Sequence, residues 1–300
     1  MSTYKRLLFI INPNAGMRRK ESPLNEIIML FSDYNYETIV CFTKKQGDAT
    51  DLVEDHANRG IDLIVCMGGD GTLNETIAGA IKIKWNRPIG YIPAGSTNDF
   101  ANSLGLSRDP VEVAKTIMEG KPRCIDIGEF NGRQFVYTAA SGIFTKVSYE
   151  TSQKIKNVLG HFAYLLEGVK DFTQLHSIHM KIRTDSGMSY EDEFIMVAFC
   201  NTFQMGGVLA LDEGNVELDD GLFELLMISM PRDIVQLNTI IKSLYEQSYD
   251  EDSGLVRIVK VKSADIDFPA AEDWSLDGER GDGKMHNSFN VIHDAIQLIY

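Results

Sequence analysis

Residues 61–81 read IDLIVCMGGDGTLNETIAGAI: an apolar run, three glycines around an aspartate, then a helical pattern. IDLIVCM is apolar on both faces, as a strand inside a covered parallel sheet must be. Gly68, Gly69 and Gly71 follow at once, and without side chains their backbone N–H groups can approach anionic oxygens. Thr72 and Glu75 then have the T-x-x-E spacing of a capping box, which predicts a helix to about Ile83 with its positive end at the loop. Strand, anion-accepting loop and helix form the repeating unit of a doubly wound α/β domain. Asp70 is the residue out of place, a carboxylate in a loop suited to anions.

The same rhythm extends on both sides. KRLLFII (5–11), ETIVCFT (37–43) and RPIGYIPAG (87–95) read as further strands of a parallel sheet. SPLNEIIMLF (22–31), with Ser22 as N-cap and Pro23 at the first helical position, DATDLVEDHAN (48–58), capped by Asp48, and DPVEVAKTIMEG (109–120) read as the helices between them. From about Cys124 the pattern changes. CIDIGEFNGRQFVYTAASG (124–142) gives two strands around Asn131-Gly132, and HMKIRTD, EFIMVAFCN, GLFELLMI, LVRIVKVKSADIDF and EDWSLDGE give more. Helical patterning remains at 152–171 and 233–247. The expected fold is therefore an N-terminal doubly wound α/β domain over 1–123 and a C-terminal antiparallel, β-sandwich-like domain over 124–286. The apolar tail SFNVIHDAIQLIY can pack back on either half, the segment of about 287–300 being a candidate to rejoin the first.

Composition narrows the function. An apolar fraction of 44% with 24% charged residues is that of an ordinary soluble globular chain. No apolar run reaches the roughly 18–20 residues that span a bilayer, and the opening is no signal peptide, so the expected location is cytoplasmic. A net charge of −14 argues against nucleic-acid binding. Cys41, Cys66, Cys124 and Cys200 stand singly, and His176 and His179 have no third ligand nearby, so neither zinc nor disulfides are expected.

Two other loops join GGDG at the carboxyl ends of the strands, where ligands of open α/β sheets bind. They are NPNAG (12–16) and PAGSTNDFAN (93–102), the latter contributing a second acid, Asp99. A carboxylate beside phosphate is reasonable when a divalent cation lies between them, since Mg²⁺ takes one or two carboxylates plus phosphate oxygens. Asp70 and Asp99 then point to Mg²⁺ on a nucleotide triphosphate. A dinucleotide fingerprint would need glycine at Asn74, no GxxxxGK[ST] occurs, and HRD and DFG are absent. Farther on, a strand through SLDGE would turn Asp277 and Glu279 to one face, although the same residues also suit a turn.

GGDGTLNE, PAGSTNDFA and SLDGE, in this order, resemble the diacylglycerol kinase catalytic domain. The likeness to the soluble bacterial diacylglycerol kinases covers essentially the whole chain, including ASGIFTKVSYETSQKIKNVLGHFAYLLEG (140–168). The resemblance implies a nucleotide domain, a lipid domain and an active site in their cleft. It places ATP contacts on Asn12, Pro13, Asn14, Ala15, Gly16, Thr43, Gly68, Gly69, Asp70, Gly71, Thr72, Leu73, Asn74 and Thr97. Ala15 departs from the serine often found there, removing one hydroxyl from the phosphate site. Asp70 and Asp99 match the acids that organise catalytic Mg²⁺, Asp277 a catalytic aspartate, and Glu279 the proton acceptor. By composition Asp219-Asp220-Gly221 is an ordinary turn. The resemblance makes it a second, structural Mg²⁺ site, with the Asp220 carboxylate and backbone oxygens of Glu217 and Leu222.

The implied reaction is transfer of the γ-phosphoryl group of ATP to diacylglycerol, giving phosphatidic acid. Another lipid alcohol (phosphatidylglycerol, a sphingoid base or a polyprenol) is the alternative acceptor. A silent nucleotide- and lipid-binding regulator and a soluble NAD kinase are further readings. The first is disfavoured by retention of all four acids, the second by PAGSTNDFA and SLDGE. A kinase of this kind must visit the inner face of the membrane. The apolar and basic stretch 144–170, with Arg18, Arg19 and Lys20, is the expected peripheral contact, and a homodimer is the expected assembly.

Overall fold

The computed structural model describes residues 4–15, 23–95, 98–142, 175–201, 204–205, 209–210, 217–246, 249 and 254–300. Gly16, Ser22, Thr97, the basic group at 18–20 and the stretches 144–170 and 152–171 lie outside the described residues. The chain divides into two compact units, Met1–Ile125 with Asp294–Tyr300, and Asp126–His293.

The first unit alternates strand and helix: β1 (Lys5–Ile11), α1 (Leu24–Asp33), β2 (Tyr36–Phe42), α2 (Asp48–His56), β3 (Leu63–Gly68), α3 (Asp70–Lys82), β4 (Pro88–Pro93), α4 (Asp99–Ser103) and α5 (Pro110–Glu119). The strands run parallel in the order β2-β1-β3-β4. The chain's last strand completes the sheet, with Gln297–Ile299 parallel to Pro88–Gly90. Alternate residues explain the layering. Leu7, Phe9, Ile11, Leu63 and Val65 pack with Ile27 and Phe31 of α1 and with Val113 and Ile117 of α5. Leu8, Ile10, Ile64 and Cys66 are equally buried and point to the opposite face. Two helix starts differ from expectation. Pro23 is itself the N-cap of α1. Gly47, in the left-handed region, caps α2, while the Asp48 carboxylate turns back to accept the N–H groups of Lys44 and Lys45.

The second unit is antiparallel throughout: most of β5 (Arg123–Phe130), then β6 (Arg133–Phe135), β7 (Thr138–Gly142), β8 (Ile178–Thr184), β9 (Ser189–Cys200), the short pair β10 (Gln204–Met205) and β11 (Leu209–Ala210), β12 (Phe223–Ser229), helix α6 (Ile234–Glu246), β13 (Val256–Val261), β14 (Ser263–Asp267), β15 (Trp274–Leu276), β16 (Glu279–Gly281) and the first part of β17 (His286–Ile299). The twelve-residue β9 organises it, pairing with β7, β8 and β12. Its core is aromatic. Phe199 stacks on Phe289 at 4.0 Å, Phe130 meets Trp274 at 4.3 Å, and Phe135 stands edge-on to Phe223 at 5.7 Å. Contacts of this kind add about 0.5–1.5 kcal/mol each beyond burial.

Candidate active site

In the first unit the order β2-β1-β3-β4 puts the switch in connection direction between β1 and β3, and the loops after these strands meet there. The Asn12 N–H donates to Met67 O at 2.9 Å, and its Nδ2 donates to Thr72 Oγ1 at 3.2 Å. Asn12 Oδ1 accepts the Asn14 N–H at 3.0 Å, closing a tight turn through Pro13. Thr43 is buried beside the same strand end, its N–H on Ile11 O at 2.9 Å. The loop after β4 is tied in by Ala94 N–H to Gly68 O at 2.7 Å. The approach is so close that a Cβ on Gly95 would lie 2.6 Å from Gly69 Cα, so only glycine fits. The two loops form a backbone-walled cradle.

Helix α3 begins at Asp70, with extended Gly69 as its N-cap, three residues earlier than the capping-box reading. That box does not form. Thr72 is buried under Asn12, and Glu75 reaches across to α2, accepting the N–H groups of Gly47 at 2.8 Å and Ala49 at 3.2 Å. Glu75 therefore caps the neighbouring helix, a partnership 28 residues distant that no local motif displays. The early start places Asp70 in the first turn, where the first N–H groups of a helix lack intrahelical partners. Leu73, among the expected nucleotide contacts, has its side chain in the core; Asn74 is half-buried.

Asp70 is largely enclosed. Its Oδ2 accepts the Asp99 N–H at 2.9 Å, and the hydroxyl of fully buried Tyr91 is 3.4 Å from Oδ1. Burial pushes the carboxyl up to about 6, against amide bonds that pull it down, and the negative charge of Asp99 adds to the rise. Burial and the Asp70 charge likewise hold the Tyr91 phenol well above its ordinary range. Two oxygen-donor acids beside a backbone-walled cradle suit a hard divalent cation and phosphate oxygens. Asn98, left-handed at φ +51°, donates to Gly95 O at 2.9 Å, and its buried Oδ1 meets no partner among the described residues. Tyr91 was not singled out from sequence, and Glu75 was read only as the capping-box partner of Thr72. A tyrosine in an apolar strand carries no local sign of a buried acid above it.

In the second unit, SLDGE is a hairpin. Leu276 pairs with Glu279 across a two-residue turn, with Asp277 at φ +50° and Gly278 at φ +83°. The expectation that Asp277 and Glu279 share one strand face is thus corrected. Asp-Gly between apolar strands is the sequence signal for such a type I′ turn. The Asp277 carboxylate is buried, with Oδ2 accepting Val136 N–H at 2.6 Å and Oδ1 accepting Tyr137 and Thr138 N–H at 3.0 and 2.9 Å. Glu279 is half-buried, with Oε2 on Arg133 Nη2 at 2.6 Å.

The Asp220 carboxylate is engaged on both oxygens by groups of the protein. Its Oδ1 accepts the Leu222 N–H at 2.9 Å, and Oδ2 pairs with Lys260 at 2.7 Å. Glu217 is exposed. Beside this turn the fully buried Asp126, not singled out from sequence, takes the Gly221 N–H at 2.6 Å and His293 Nδ1 at 2.9 Å.

A family model described as the diacylglycerol kinase catalytic domain matches residues 6–130. The diacylglycerol kinase of Bacillus subtilis (strain 168) is 32% identical over 294 residues, covering 96% of this chain and 95% of its own. That of Staphylococcus saprophyticus is 33% identical over 295 residues, covering 98% and 95%. A crystal structure of a candidate diacylglycerol kinase from Bacillus anthracis str. Sterne superposes with a TM-score of 0.83 at 25% identity, covering 100% of this chain and 98% of that one.

Proposed function

The chain belongs to the diacylglycerol kinase catalytic-domain family, a family of lipid kinases, and we propose that it transfers the γ-phosphoryl group of ATP to diacylglycerol, forming phosphatidic acid. The observation that supports this most is the Asp70 site. A largely enclosed carboxylate with a second acid beside it, set against a cradle that excludes even a methyl group, is costly unless a cation and an anion complete it.

In this reading Asp70 and Asp99 hold Mg²⁺, and the amides of Gly68–Gly71 and the 12–15 turn hold the triphosphate. Bound Mg²⁺ would neutralise charge on the phosphate oxygens. Glu279 receives the proton of the lipid hydroxyl as the new O–P bond forms and the bridging O–P bond to ADP breaks. Because the transition state is loose, orientation of that hydroxyl matters more than its early deprotonation. No helix among the described residues is long and apolar enough to cross a membrane. Because the proposed substrate is a lipid, the reading includes peripheral contact with the bilayer. A cytoplasmic homodimer belongs to the same reading, testable by sedimentation.

The direct assay is labelled ATP with diacylglycerol in mixed micelles. Labelled phosphatidic acid is expected, lowered by roughly 10² or more with Asp70→Asn and absent without Mg²⁺. A panel of phosphatidylglycerol, sphingoid base and polyprenol decides the acceptor, and turnover of another lipid above diacylglycerol would move the assignment. A structural Mg²⁺ at Asp220 would have to displace Lys260, so Lys260→Met should strengthen any Mg²⁺-dependent rise in Tm.

A further inference from the structure

We propose that Asp277 is a positioning residue: with Arg133 it fixes the hairpin that presents Glu279, and it does not itself receive the transferred proton. The proposal rests on the assignment of Glu279 as proton acceptor. Both Asp277 oxygens are already engaged, by the N–H groups of Val136, Tyr137 and Thr138. Its own N–H donates to Thr138 O at 2.8 Å, so the residue is bound to one stretch of backbone from both sides. All three are charge-assisted bonds to the ionised carboxylate and would weaken on protonation, which sets Asp277 against the role of proton acceptor.

The conformation fits the same role. Two successive left-handed residues are what a two-residue hairpin turn requires, and aspartate and glycine are among the few pairs that tolerate it. The turn sets the register Leu276↔Glu279, Ser275↔Arg280 and Trp274↔Gly281. Beyond it, Arg133 grips the outgoing strand at two points, with Nη2 on Glu279 Oε2 at 2.6 Å and Nη1 on Arg280 O at 2.7 Å. Residues 133–138 therefore hold both sides of the turn, by side chain at Glu279 and by backbone at Asp277. A planar, two-pronged guanidinium restricts the carboxylate it holds more than an ammonium would.

The test compares the full-length wild type with Asp277→Asn, Glu279→Gln, the double variant and Arg133→Lys, on whichever lipid alcohol the wild type turns over. Glu279→Gln should lower kcat by about 10²–10⁴-fold and remove the acid limb of the pH–rate profile. Asp277→Asn should lower kcat by about 10–100-fold at similar KM for ATP and keep that limb. The double variant should be no slower than Glu279→Gln alone, within about twofold, because residues acting as one unit are not additive. Arg133→Lys should retain the limb and an intermediate rate. Loss of the limb in Asp277→Asn with its retention in Glu279→Gln would overturn the proposal, and so would additive losses in the double variant.

Hydrogen exchange separates this from failure of the kinase reading. The amides of Val136, Tyr137 and Thr138 should be protected in the wild type and exchange at least about tenfold faster in Asp277→Asn. Unchanged protection would overturn the clamp even in a protein that phosphorylates nothing. A wild type that turns over no lipid, with the exchange difference present, would overturn only the kinase assignment.

Discussion

At Asp70 the stability of the fold and the proposed function pull in opposite directions. Its carboxyl titrates near 6, against 3.8 in the ordinary case, because burial penalises the charged form. Without a divalent cation the sign follows directly. Below about pH 4 the group is protonated in folded and unfolded chains alike and costs nothing. As pH rises towards 6 the unfolded chain ionises first, and by pH 7 the folded state has lost up to about 3 kcal/mol. In EDTA, Asp70→Asn should therefore raise the urea midpoint at pH 7.5 by the equivalent of about 1–3 kcal/mol, with little gain at pH 4. Lipid phosphorylation should fall by roughly 10² or more. Equal stability effects at the two pH values would show that Asp70 is not strained by burial. The oddity of the acid was legible in GGDG, a carboxylate among glycines suited to anions. Its enclosure by Tyr91 and the Asp99 amide was not, since both come from other segments of the chain.

Among the elements, what could be read from sequence was whatever repeats locally. Apolar runs such as KRLLFII and RPIGYIPAG are strands because they are buried on both faces, and DPVEVAKTIMEG is a helix whose Asp109 accepts the Val111 N–H as expected of an N-cap. Readings failed where a side chain serves a different element. Glu75 has capping-box spacing with Thr72 yet caps α2, and SLDGE has strand composition yet turns. Glu75→Ala should therefore destabilise α2 by about 0.5–2 kcal/mol, seen as faster exchange of the Gly47 and Ala49 amides, with α3 protected as before. Loss of protection in α3 instead would restore the local capping box. Gly95→Ala acts on the loops. Its Cβ would press on Gly69 Cα, backbone against backbone, so the cradle must open. The expected result is a KM for ATP at least about tenfold higher, with kcat less affected; an unchanged KM would separate the cradle from nucleotide binding.

For the whole molecule, the decisive feature is that the first unit is not contiguous in sequence. The chain leaves it after Ile125 and returns at Asp294, and the returning residues form a strand beside β4. The tail's alternating apolar pattern left its destination open, because period-two burial says which face is covered and nothing about which neighbour covers it. Ile296, Leu298 and Ile299 are at most 6% exposed. At about 1.5–3 kcal/mol for each buried side chain, the three contribute roughly 5–9 kcal/mol, against a typical domain stability of about 5–15 kcal/mol. Removing 294–300 would also bare the hydrogen-bonding edge of β4, an invitation to aggregation. A chain ending at His293 should accumulate in the insoluble fraction or lose exchange protection throughout β1, β3 and β4, while Leu298→Ala in the full chain should stay folded and cost about 2–5 kcal/mol. If the truncated chain is soluble and melts like the full one, the C-terminal strand is an ornament of the first unit and the loops of the candidate site stand without it. If it fails while Leu298→Ala survives, the site built on Gly68–Gly71 depends on the last seven residues of the chain.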